Sequence, residues 1–214
     1  MAALGAGLGF LTISAVAFAP TNLAGVCGAA VSTSLALLSF AWAMAAAIAL
    51  KNPQPRTELF RINPAPNPLP RWGLALAVAG TLGLSHLLGL IVTTIDGPTE
   101  GALAQVNALL ADTAWGTLVG AALALAIAPA LSEEILFRGL LLGRFCDRLG
   151  TPGGLALSSL LFGMIHLNLA QGAPALVLGL YLGALSLRTG SVRAAILCHG
   201  INNLVAVFAG RWMN

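Results

Sequence analysis

Glu133 and Glu134 stand side by side near the end of an apolar run that begins at Trp115, and Arg138 follows them. Ionised side chains at membrane depth cost roughly 2.5–3.5 kcal/mol each even on a lenient insertion scale. Three together must face a protein interior or a water-filled cavity, and such groups mark function by default. On a helix Glu134 and Arg138 are i,i+4 neighbours, placed to form an ion pair. Glu133 points about 100° away on the helical turn. It is therefore left to act on water as a general base.

Two more clusters follow, Phe162-Gly163-Met164-Ile165-His166 and His199-Gly200-Ile201-Asn202-Asn203. The first and last residues of each share a helix face, so His199 and Asn203 point together into a bundle. Gly163 and Gly200 allow neighbouring helices to come close. Asn168 and Gln171 lie just beyond the second cluster. A buried carboxylate that deprotonates water, with histidine and asparagine donors around a developing oxyanion, is the machinery of hydrolysis. Other polar groups read as structural. Asn202 and the lone His86 are expected to be interhelical glue, and Phe137 and Phe162 to be packing residues. Pro129 cannot donate to the carbonyl of Leu125, so a kink is expected there.

The elements that must hold these groups are membrane helices. The chain has 214 residues, 58% of them hydrophobic and only 8% charged, with mean hydropathy +0.91. Soluble domains carry about 25% charged residues. Barrel strands are about 10 residues of alternating polarity, and the runs here are longer and apolar throughout. The reading is an all-α, polytopic membrane helical bundle with about seven transmembrane helices. The expected spans are 3–19, 23–50, 72–95, 115–142, 155–168, 174–187 and 192–208. Residues 1–114 would hold three spans and a Pro-rich linker, and residues 115–210 a catalytic core of four, all in one integrated membrane domain. The apolar start lacks the basic region of a signal peptide and reads as the first span. The linker from Lys51 to Arg71 carries Pro53, Pro55, Pro64, Pro66 and Pro68, with a turn expected around Leu59-Phe60-Arg61.

Net charge is +3, but the basic residues are spread over several loops, where they set topology and imply no nucleic-acid partner. With seven alternating spans, Lys51, Arg56, Arg61, Arg71, Arg144, Arg148, Arg188 and Arg193 all fall on one side. Asp96, Glu100 and Asp112 fall opposite. The positive-inside rule then puts the N-terminus in the cytoplasm and the C-terminus outside. A composition rich in Ala, Gly and Leu reads as bacterial, so the expected location is the inner (plasma) membrane. Cys27, Cys146 and Cys198 show no metal-ligand spacing and read as small apolar residues.

Crude depths test whether the clusters can meet. At 1.5 Å per residue, His166 and Glu133 lie about 20 and 22 Å from the basic end, but His199 and Asn203 only about 10–16 Å. Spans four, five and seven can share one pocket if tilt absorbs that offset.

The three clusters resemble the CPBP family, also known as the CAAX-protease and bacteriocin-processing or Abi family. Its pattern is EExxxR, then FxxxH, then HxxxN or HxxxD, on successive core helices. All three occur here, in order, over about residues 115–210. The resemblance implies an intramembrane endopeptidase similar to type II CAAX prenyl proteases. Glu133 would activate the water with help from His166, and His199 and Asn203 would stabilise the oxyanion. Glu134 and Arg138 match the remaining motif positions. Partners implied are the lipid bilayer, a membrane-associated peptide or protein substrate, and a membrane-protein partner. A non-catalytic accessory or scaffold subunit is the alternative. No cofactor is favoured. Glu133, His166 and His199 would form a three-ligand zinc site if a metal were used, but the chain has no HExxH.

Overall fold

A computed structural model describes residues 22–51, 53, 55–96, 102–111 and 113–212. The expected first span, 3–19, lies outside them. All regular structure in the described residues is helical. The helices are α1 (Leu23–Lys51), the single turn α2 (Arg56–Leu59), α3 (Arg71–Asp96) and α4 (Ala102–Ala111). A long segment then runs through α5 (Trp115–Ala122), a π-turn (Leu123–Ile127), α6 (Ala128–Glu134), a second π-turn (Ile135–Leu141) and α7 (Leu142–Met164). The chain closes with α8 (Leu169–Thr189) and α9 (Arg193–Trp212). Five helices among the described residues are long and apolar enough to cross a membrane: Leu23–Lys51, Arg71–Thr94, Trp115–Met164, Leu169–Thr189 and Arg193–Arg211. The protein is an integral membrane protein.

The third of these contains the fourth expected span and most of the fifth, ending at Met164. Gly150 breaks it with φ 73° and ψ 166°, a conformation that glycine adopts without steric cost. Pro152 follows at the start of the next leg, where its missing N–H does no harm. The two legs fold onto each other. The hydroxyl of Ser158 donates to the carbonyl of Phe137 at 3.0 Å, and the rings of Phe137 and Phe162 meet edge to face at 5.4 Å. The second leg packs along α8 in turn.

The distortion expected at Pro129 takes the form of the π-turn Leu123–Ile127, directly ahead of the proline. The second π-turn begins one residue after Glu134. Such widened turns recur at functional sites because they rotate the side chains that follow. Here they bracket α6 on both sides. α4 was not expected. Its ten residues are too short to span a bilayer, and it packs on α9, with Val106 and Leu110 buried beside Val207.

The Pro-rich stretch is tied down between Leu59 and Asn67. Leu59 and Phe60 at the end of α2 are buried against Leu136, Phe137 and Leu140. The Arg61 carbonyl accepts from Val192 N–H at 3.0 Å, and its guanidinium donates to the Ser186 carbonyl at 3.3 Å. Ser191 Oγ donates to Asn63 O at 2.8 Å, and Arg193 Nε to Ile62 O at 2.8 Å. Gly190, at φ 73°, has no Cβ to strike Pro66. The stretch therefore acts as a strap across the α8–α9 turn, at the same end of the bundle.

Candidate active site

The acid pair and Arg138 are carried into the interior by α6 and the π-turn after it. Glu133 is 4% exposed, Glu134 0% and Arg138 1%. Nη1 of Arg138 donates to Oε1 of Glu134 at 2.9 Å, the i,i+4 pair read from the spacing. The guanidinium carbon also lies 4.1 Å from the ring centroid of Phe162, a favourable cation–π contact out of water.

The same carboxylate oxygen takes a second donor. Nδ1 of His199 lies 2.8 Å from Oε1 of Glu134. Glu134 is thus more than a partner for Arg138: it orients an imidazole from α9, a link that spans 65 residues of sequence. Nε2 of His199 then faces Oε2 of Glu133 at 3.9 Å, beyond hydrogen-bond distance but in ion-pair range. The offset in depth of His199 is absorbed by the packing of α9 against α6.

His166 closes the second leg of the long segment. Its Nδ1 lies 2.9 Å from the carbonyl of Phe162. A carbonyl can only accept, so Nδ1 carries the hydrogen and Nε2 keeps its lone pair. Phe162 is the hub. It is buried and meets His166 at 5.3 Å and His199 at 6.0 Å, both edge to face. It therefore packs, as does Phe137.

A small cavity of about 20 Å³ lies beside the two imidazoles, lined by Thr81, Phe162, His166, Ala175, Leu178, Leu182, His199 and Asn202. That is room for about one water molecule. Glu133 sits next to it through His199 rather than on its wall.

The structure therefore brings Glu133, Glu134, Arg138, His166 and His199 into one buried neighbourhood. Asn203 is fully buried on α9 and accepts from Nδ2 of Asn202 at 3.4 Å. It is Asn202, expected to be glue, that lines the cavity. His86 makes no hydrogen bond through Nδ1 among the described residues, so a bridging role has no support. Asn168 is a helix cap, accepting from Gln171 N–H at 2.8 Å.

Thr81 and, one turn on, Ser85 are buried polar residues of α3 that the sequence reading passed over. Their signal was faint: a hydroxyl every fourth residue inside an apolar run.

Among the described residues no three His, Cys, Asp or Glu side chains are grouped so as to hold a metal. Glu133, His166 and His199 as arranged form no such three-ligand group.

Residues 114–205 match the family model described as type II CAAX prenyl endopeptidase Rce1-like. No curated protein and no solved structure matches the chain.

Proposed function

With residues 114–205 belonging to the CAAX-protease family, we propose that the chain is an intramembrane endopeptidase acting on membrane-associated peptides or proteins. The observation that carries this reading is the buried meeting of Glu133, Glu134 and His199 beside a water-sized cavity that His166 also lines. Ionisable groups buried at membrane depth are costly and are by default a mark of function.

In the proposed reaction Glu133, assisted by His166, takes a proton from water as the water oxygen bonds to the peptide carbonyl carbon. The carbonyl electron pair moves onto its oxygen. Nε2 of His199 is the nitrogen left over, because Nδ1 is already committed to Glu134, and with a proton taken up from bulk water before the peptide enters it donates to that oxyanion. Asn203 holds the motif position expected to supply a second donor, and its Nδ2 has no partner among the described residues, but it is Asn202 that lines the cavity. Collapse of the intermediate breaks the C–N bond, and the stored proton passes to the leaving amine. Glu134 and Arg138 hold the ring of His199 and the α6 register. The cavity admits a water and no more, so a peptide bond enters only as the surrounding helices part.

Counting the two legs of Trp115–Met164 separately gives six crossings among the described residues, and the expected count of seven rests on the sequence reading of 3–19. The basic strap and α8–α9 turn then lie on the cytoplasmic side of a bacterial plasma membrane.

The test is full-length protein in vesicles with transmembrane-segment peptides, new termini being read by mass spectrometry. Glu133→Gln and His166→Ala are expected to stay folded and inserted while cleavage falls by about 10²–10⁴-fold. Undiminished cleavage in both, or none by the wild type, would leave the accessory-subunit reading.

A further inference from the structure

Four polar side chains face the water-sized cavity: Thr81, His166, His199 and Asn202. Their existing hydrogen bonds decide what the cavity can bind. Oγ1 of Thr81 donates to the Ala77 carbonyl at 2.8 Å and also has the Tyr181 hydroxyl and the Cys198 thiol as hydrogen-bond neighbours, so the lone pairs it turns to the cavity are shared with them. His166 has Nδ1–H committed to Phe162 O and offers the Nε2 lone pair. Asn202 is 3% exposed, and its Oδ1 has no hydrogen-bond partner among the described residues. His199 can become a donor here by taking a proton on Nε2, and Asn202 keeps one N–H beyond the one given to Asn203. The wall is thus rich in acceptors. A buried acceptor left unsatisfied is costly. A small guest with two hydrogens to give, in a space for one molecule, is water, which needs two to four such partners.

We propose that Asn202 and Thr81 are positioning residues that hold the attacking water in this cavity. One O–H goes to Oδ1 of Asn202 and the other to Nε2 of His166, which takes that proton as the water attacks and relays it to Glu133, while the water oxygen's lone pairs point away from both. Oγ1 of Thr81 bounds the water from α3 and accepts when the molecule turns. The reaction centre then draws on a helix outside the matched segment 114–205. This assignment rests on the hydrolase reading for its purpose but not for the water itself.

Two measurements on the full-length protein separate the two. In the vesicle assay with transmembrane-segment peptides, Asn202→Leu and Thr81→Val keep side-chain shape and remove the acceptors. Turnover is expected to drop by about 10- to 100-fold. KM should stay within about twofold, and Thr81→Ser should restore most of the rate. Wild-type kcat in both variants, or a rise in KM alone, overturns the proposal.

The second measurement is an experimental map of the wild type that shows ordered waters. A water bonded to Asn202 Oδ1 is expected. A dry cavity, or a water touching neither Asn202 nor Thr81, overturns the proposal whatever the activity. A wild type that holds this water and cleaves nothing sinks the hydrolase reading and keeps the water site. If Asn202→Leu does not fold, Thr81→Val and the map decide.

Discussion

α1 and α9 are both apolar helices of membrane-spanning length, and they are used in opposite ways. In α1 only 17% of the apolar window is buried, and Leu35, Phe40, Trp42 and Leu50 face outward. It touches the bundle through Val26, Ala30, Ser34, Ala41 and Ala45, a stripe of mostly small residues. α9 is the less apolar helix, yet half of its window is buried, and its inner face carries Cys198, His199, Asn202 and Asn203. Lipid tails are as apolar as leucine, so a large side chain gains little by leaving them for protein. Strong apolarity therefore marks lipid contact, and a helix that loses it is facing the interior. The chemistry sits where the hydropathy falls.

If this contrast holds, substitutions should differ sharply between the two faces. The largest effect on stability is expected at Arg138. Arg138→Ala leaves the buried carboxylate of Glu134 without its guanidinium, which costs about 3–5 kcal/mol. Thermal unfolding in detergent should show it, and adding Glu134→Gln should recover part of the loss by removing the orphaned charge.

A middling effect is expected at Gly139, where any Cβ would lie 2.5 Å from the Phe60 carbonyl. Gly139→Val should cost about 1–3 kcal/mol through overpacking and loosen the strap, read as faster proteolysis between Arg61 and Arg71. The smallest is expected on the lipid face of α1. Leu35→Ala should change stability by about 0.5 kcal/mol or less. A loss at Leu35 as large as that at Arg138 would break the comparison.

What could be read from sequence followed from helical spacing. Glu134 and Arg138 meet because residues four apart must share a face, and the same rule grouped the motif residues on their helices. The long apolar runs likewise announced α1, α3, α8 and α9. Other features depend on contacts that spacing does not encode. The bond from His199 to Glu134 depends on how two distant helices cross. Asn202 rather than Asn203 lines the cavity because helix rotation, not motif membership, sets which neighbour faces inward. Thr81 was hidden because a threonine can satisfy its hydroxyl on its own helix, as it does on Ala77, and so passes for an ordinary membrane residue. The stretch between Lys51 and Arg71 reads as a linker, since the partners of its Arg61 and Asn63 lie 125 and 128 residues away about the α8–α9 turn.

The single carboxylate oxygen that serves both Arg138 and His199 has a consequence for the charge balance. Two carboxylates and one guanidinium leave the enclosed cluster with one excess negative charge while both rings are neutral. In a medium of low dielectric such an imbalance is unfavourable. In the proposed reaction the proton taken from water neutralises a carboxylate while the oxyanion gains the same charge, so the first step relocates the enclosed charge and adds none.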